Sequence, residues 1–141
     1  MSAVPVEPKI KSFLIADTVI QEQITNKWSA IGIFDRIYAS KFPIKHHSLS
    51  LYICLTDAEG DYNIRVEFCD AEGRKLALFE GITLNVPSRL QSVDFGIKTR
   101  DLPIPKAGKY FFDLYFNDQS AGSYQLAIEK VELKWIPTYD C

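Results

Sequence analysis

The sequence predicts an all-β fold, a Greek-key β-sandwich of about eight antiparallel strands, and three observations carry that prediction. The clearest is alternation: between Ser48 and Cys69, Leu49, Leu51, Ile53 and Leu55 share one parity, and Tyr62, Ile64, Val66 and Phe68 share another. A period of two marks a half-buried strand. Helical spacing fits no segment better than strand spacing does, and turn-forming clusters recur at intervals typical of a sandwich. With Asp57–Gly60 as a turn, the alternation predicts a hairpin that pairs Leu55 with Tyr62, Ile53 with Ile64, Leu51 with Val66 and Leu49 with Phe68. Its other face pairs Tyr52 with Arg65 and Ser50 with Glu67, a polar side open to water or to a partner.

Residues 1–11 contain Pro5 and Pro8 and show no period, so they read as an extended N-terminal arm ahead of a single domain, 12–141. Ser12–Ile20 is apolar on both parities, as in a strand covered on both sides. Trp28–Ala39 places Ile31, Ile33 and Ile37 on one parity and Trp28, Phe34 and Tyr38 on the other, and Gly32 inside it marks a bulge or a close neighbour. Pro43 stops regular pairing before the central hairpin. After it, a three-residue loop Ala71–Gly73, with Gly73 in the left-handed region, brings Leu76 and Leu78 opposite Phe68 and Val66. The chain continues or restarts at Gly81, and Val93, Phe95 and Ile97 point inward. Leu102–Tyr110, with its prolines, reads as a connection between sheets. Tyr110, Phe112, Leu114 and Phe116 give the following strand a central character. Asn117–Ser123 is a turn cluster, and the last strand carries Tyr124, Leu126 and Ile128 inward before a bulge near Glu129 and Lys130 moves Val131, Leu133 and Trp135 onto the same side.

Composition narrows the function. At 141 residues, with 47% apolar and 13% aromatic residues, the chain has material for one sizeable core without disulfide or metal. Its 16 basic and 18 acidic residues are interspersed, so no positive stripe suits a nucleic-acid backbone. The N-terminus shows no secretory pattern, and no apolar run is long enough to span a bilayer. Cys54 and Cys69 are about 20 Å apart in the expected hairpin at roughly 3.3 Å per residue, too far for a disulfide. With Cys141 they read as free thiols of a cytoplasmic protein.

LIADTVI near the start, GIFDRIYASKFP and LPIPKAGKYFFDLYFND together resemble a family of small bacterial all-β proteins of unknown function. Asp17, Gly32, Phe34, Phe42, Pro43, Pro105, Gly108 and Tyr110 carry the resemblance. It implies a bacterial, immunoglobulin-like sandwich, and it brings no activity, substrate or catalytic residue with it.

No pattern in the sequence points to catalysis or to a cofactor. Asp57, Glu59 and Asp61 in one turn and Asp70 and Glu72 in another offer oxygens of the type that Ca²⁺ takes, but the two turns lie at opposite ends of one strand. Asp and Gly also build such turns for backbone reasons alone. His46 and His47 are the only histidines. Adjacent residues of an extended segment point to opposite faces, so they make a poor pair of ligands for one metal, and Cys54 stands seven residues from His47, about 23 Å along the strand, too far for a catalytic pair. Glycines are isolated, and no phosphate loop appears. The expectation is a non-catalytic binding or scaffolding module. A strand edge or an outer aromatic face made from Trp28, Phe34, Tyr38, Tyr52, Arg65, Phe111 and Tyr115 would engage a protein partner or a second copy, with no nucleic acid and no membrane. The alternative is a sandwich that binds a carbohydrate or another small ligand on its aromatic residues.

Overall fold

A computed structural model describes residues 6–132. Strands β1 (Lys9–Gln21), β2 (Trp28–Ile33), β3 (Arg36–Ala39), β4 (Ile44–Thr56), β5 (Gly60–Asp70), β6 (Lys75–Val86), β7 (Val93–Ile104), β8 (Gly108–Phe116) and β9 (Gln119–Lys130) run through them in chain order. A four-stranded sheet has the order β2-β1-β4-β7, and a five-stranded sheet has the order β3-β9-β8-β5-β6. Pairing is antiparallel except between β3 and β9, which run parallel.

The two sheets pack face to face because each offers one apolar parity to the same core. Leu49, Leu51, Ile53 and Leu55 of β4 are completely buried, as are Phe112 and Leu114 of β8, with Tyr62, Ile64, Val66 and Phe68 of β5 close behind. Burial of each such side chain is worth about 1.5–3 kcal/mol, so these rows decide which face turns inward. Phe112 sits at the junction, with its ring 4.9 Å from that of Phe68 in its own sheet and 6.3 Å from that of Phe13 in the other.

The expected hairpin between Ser48 and Cys69 does not form. Parity is as read, but β4 pairs with β1 and β7, whereas β5 pairs with β6 and β8. The loop at Asp57–Gly60 therefore crosses between sheets, and the two apolar rows meet through the core rather than along a ladder. Alternation specifies a face and leaves the neighbour open. Ala58 is buried at this crossing, and the Tyr62 hydroxyl holds it, accepting from the Glu59 amide at 2.8 Å and bonding the Val6 carbonyl. Tyr110 does the same at the crossing from β7 to β8, where its hydroxyl donates to the Lys106 carbonyl at 2.6 Å.

Other differences have local causes. Trp28–Ala39 divides at Phe34 and Asp35, because the Phe34 amide bonds the Ile15 carbonyl in one sheet and the Asp35 carbonyl accepts from Ala127 in the other. Gly32, at φ 72°, allows the turn, since the Asp17 carboxylate occupies the place of a Cβ. The Ala71–Gly73 loop and its left-handed Gly73 form as expected, but a bulge at Phe68/Cys69 sets Ala77 and Phe79, not Leu76 and Leu78, opposite Phe68 and Val66. Leu102–Ile104 is not a connection: it extends β7 along β4, and Pro103 is accommodated because β7 is an edge strand. The turn after β8 is only Asn117 and Asp118, both at positive φ, so Gln119–Ser123 already belongs to β9. β1 begins at Lys9, within the segment read as an arm. Leu133, Trp135 and Cys141 lie outside the described residues.

Phe112→Ala is expected to cost about 3–5 kcal/mol, since it removes a completely buried ring at the junction of the sheets. Urea denaturation, with the midpoint lowered and the slope unchanged, is the measurement.

Candidate interaction surface

Four strands end a sheet: β2, β7, β3 and β6. An open edge invites pairing unless bulges, prolines, charges or shortness discourage it. β6 shows register shifts against β5 and turns at Gly81, where φ is 83°. β7 carries Asp94, Lys98, Arg100, Asp101 and Pro103. β3 is 4 residues long and opens on Arg36. β2, Trp28-Ser-Ala-Ile-Gly-Ile33, has no charged residue at all.

The β1–β2 hairpin also exposes its apolar side chains. Ile31 is 51% exposed and Ile33 60%, with Ile20 at 48% and Ile24 at 88% beside them. The register pairs Ala16 with Ile33, Thr18 with Ile31 and Ile20 with Ser29, so Ile20, Ile31 and Ile33 share one side of the ribbon. The hairpin is closed by the Glu22 amide bonding the Lys27 carbonyl at 2.7 Å, with Asn26 at positive φ. The Glu22 carboxylate accepts from the Thr25 hydroxyl and amide, and these bonds hold its pKa below the usual carboxylate value.

The aromatic residues expected to form one surface are divided between several places. Trp28 lies with Val19 against Gly96 of β7, where a Cβ would stand 2.8 Å from the indole ring. Trp28 thus covers the outward side of its own sheet at Gly96, and Ala16 and Ser50 are buried although their parity is outward. Tyr52, on that same side, donates to Asp94 at 2.6 Å, and burial together with this bond raises its pKa. Phe34 packs on the core where the chain changes sheets, its ring 6.2 Å from His46. The remaining residues belong to the five-stranded sheet: Arg65 pairs with Tyr115, Phe111 with Cys69, and Tyr38 with Glu129.

On that outer side most polar groups already have partners. The Arg65 guanidinium stands 4.3 Å over the Tyr115 ring, bonds Glu67 at 3.1 Å and pairs with Asp118. Lys75 reaches the same buried Glu67 carboxylate at 3.2 Å. Asp113 accepts from Ser123 at 2.6 Å, and the Cys69 thiol beside it is pushed up to about 11, chiefly by burial and then by Asp113. Tyr38 is 59% exposed there, and Leu78 of β6 50%.

The carboxylates of the two acidic turns are likewise engaged. Asp70 accepts from the amides of Glu72 and Arg74 at 3.0 and 2.8 Å, Glu72 pairs with Lys106, and Asp57 pairs with Lys9. Among the described residues no group of three or more His, Cys, Asp or Glu converges on a metal position. A cleft of about 430 Å³ opens between the sheets, lined by Phe13, Phe34, Asp35, Tyr124 and Gln125 among others. The Phe13 and Tyr124 rings stack on each other at 4.0 Å, so each uses one of its faces on the other. Asp17, Arg36 and His46 line a neighbouring hollow, where burial lowers the His46 pKa. The edge strand is what the sequence reading left unplaced, and its signal was the uncharged run from Trp28 to Ile33.

A family described as "Family of unknown function (DUF6941)" matches residues 11–129. No curated protein matches the sequence. Among solved structures, the chain is similar to the Pseudomonas fluorescens alkylpurine DNA glycosylase AlkC bound to DNA containing an abasic site analog (TM-score 0.53, 10% identity), covering 87% of this chain and 30% of the glycosylase. It is also similar to the C-terminal domain of wzt (TM-score 0.52, 12% identity), covering 92% of this chain and 77% of that one. An immunoglobulin-like protein from Pseudomonas aeruginosa aligns with a TM-score of 0.47 at 14% identity, over 88% of this chain and 98% of that one. At these identities the first two likenesses show the fold alone.

Cys69 provides a test of the packed outer face. The unfolded thiol loses its proton near 9.0 and the folded one near about 11, so between these values the unfolded chain binds fewer protons and stability falls as pH rises. Urea midpoints across that window are expected to fall more steeply for the parent chain than for Cys69→Ala.

Proposed function

We propose that the chain, which belongs to the DUF6941 family, is a non-catalytic binding module, an immunoglobulin-like Greek-key sandwich that engages a protein partner or a second copy through a strand edge. The observation that carries the reading is the β2 edge, uncharged along its length and bearing exposed Ile31 and Ile33. An extended segment laid beside such an edge gains main-chain hydrogen bonds, while pockets beside alternate side chains select it. Of the two expected routes, strand edge and aromatic outer face, the edge is better supported, because Arg65, Tyr115 and Tyr52 are committed to internal contacts. The Tyr110 hydroxyl bonded a few residues upstream supports the finer fold reading, since many immunoglobulin-like domains carry such a corner. A bacterial cytoplasmic setting accords with Cys54 and Cys69, which are buried and unpaired with each other. The balance of charge favours neither nucleic acid nor a membrane surface as partner. No helix among the described residues is long and apolar enough to cross a bilayer.

A second reading, a carbohydrate or other small ligand in the cleft at Phe13, Phe34 and Tyr124, is supported by the aromatic lining together with Asp35 and Gln125. Shifts of those residues' NMR signals on addition of a glycan mixture would favour it over the edge reading.

Ile31→Lys places a charge on the edge without touching the core. It is expected to abolish partner capture while the melting temperature stays within a few degrees of the parent. Quantitative affinity capture with both proteins, alongside thermal melts, is the measurement; a partner retained equally by the variant would remove the edge from the reading.

A further inference from the structure

Where the chain leaves β2 for the other sheet, it forms a groove whose two carboxylates have no partner. Phe34 and Asp35 make the crossing, and it is pinned at both ends: the Phe34 amide donates to the Ile15 carbonyl at 2.9 Å, and the Asp35 carbonyl accepts from the Ala127 amide at 3.0 Å. Two hollows meet there. Asp35 and Gln125 line one of about 430 Å³, Asp17 and His46 line one of about 340 Å³, and Ile33 and Phe34 are common to both. Each falls within the roughly 300–1,000 Å³ of small-molecule sites.

Charge in this groove is one-sided. Among its lining residues the charged ones are Asp17, Asp35 and Arg36, and burial lowers the His46 pKa, which keeps that ring neutral. Arg36 shares the outward side of β3 with exposed Tyr38, since buried Ile37 between them faces the core, and its guanidinium is engaged by Glu129 at 2.9 Å. Asp17 and Asp35 are exposed, and neither belongs to an ion pair among the described residues. Asp17 is also held in place by a glycine. It lies opposite Gly32, between the pairs Ala16–Ile33 and Thr18–Ile31, and its carboxylate occupies the place that a Cβ would take.

Unpaired negative charge beside an aromatic ring selects a ligand class. A cation answers the charge, and a ring centroid within about 6 Å adds cation–π attraction. A bare metal ion is poorly served, because the carboxylates line different hollows and no three ligands converge among the described residues. A neutral sugar leaves the charge uncompensated, and Phe13 and Tyr124 stack on each other at 4.0 Å instead of offering two open faces. We infer that the groove at Phe34 binds an organic cation, an amine or guanidinium on an apolar stem, whose charge is met by Asp17 and Asp35 and whose stem packs on Phe34 and Ile33. This rests on the small-ligand reading above and names its class.

NMR titration of the full chain with n-butylguanidinium chloride, compared with its neutral isostere n-butylurea, tests the inference. The expected result is saturable shifts at Asp17, Ile33, Phe34 and Asp35 with a Kd near about 1 mM, about tenfold tighter than for the urea. Asp17→Asn and Asp35→Asn each weaken binding about threefold and the double variant about tenfold, whereas Asp101→Asn, an exposed carboxylate of β7 outside the groove, leaves it unchanged. Acetyl-Val-Arg-Val-amide presents the same guanidinium on an extended backbone. Tighter binding than n-butylguanidinium assigns the cation to a side chain of a protein partner, and equal or weaker binding assigns it to a free small molecule. Equal response to guanidinium and urea, indifference to both Asp→Asn changes, or no shift up to about 10 mM overturns the inference. If a glycan mixture then moves the same signals, the cation falls and the small-ligand reading stands. If neither probe moves them, both fall.

Discussion

The structure depends on two apolar rows meeting through space. Leu49, Leu51, Ile53 and Leu55 leave one sheet, Tyr62, Ile64, Val66 and Phe68 leave the other, and a crossing of a few residues at Asp57–Gly60 separates them in the chain. Two strands so close in sequence would pair as a hairpin if the turn allowed it. Here the crossing is pinned by buried Ala58 and by the Tyr62 hydroxyl, which bonds the Glu59 amide and the Val6 carbonyl. Sending the strands to opposite layers frees each to take two ladder partners and to give its apolar parity wholly to the core. Phe13, Phe68 and Phe112 fill the space between the layers.

Period-two alternation was readable wherever one face is buried, and the inward sets of β4, β5 and β8 follow directly from it. What alternation does not contain is the identity of the neighbouring strand. The hairpin expected at Asp57–Gly60 and the parity expected at Leu76 and Leu78 fail for that reason, the second through a bulge at Phe68/Cys69. Positive φ at Gly32, Asp57 and Asp101 breaks or bends the strand pattern where a single-residue reading sees continuity. Pro103 misled in a similar way, because its tolerance depends on β7 being an edge.

Outward parity identified Tyr52, Arg65, Phe111 and Tyr115 correctly as outside the core, yet it could not say that they belong to different sheets. Nor could it show that Trp28 folds back over Gly96 or that Arg65 is held by Glu67, Asp118 and Tyr115. The uncharged run from Trp28 to Ile33 was visible in the sequence, but it gained meaning only once sheet order made β2 an edge. A buried strand and an unprotected one have the same composition, and position separates them.

The most direct test of this architecture is the pattern of cross-strand backbone NOEs in solution. The account predicts contacts from Leu49–Leu55 to Val93–Thr99 on one side and to Ile10–Ala16 on the other, with none along a ladder to Tyr62–Phe68. A continuous ladder joining Leu51 to Val66 would contradict it, and with it the open β2 edge on which the binding reading stands.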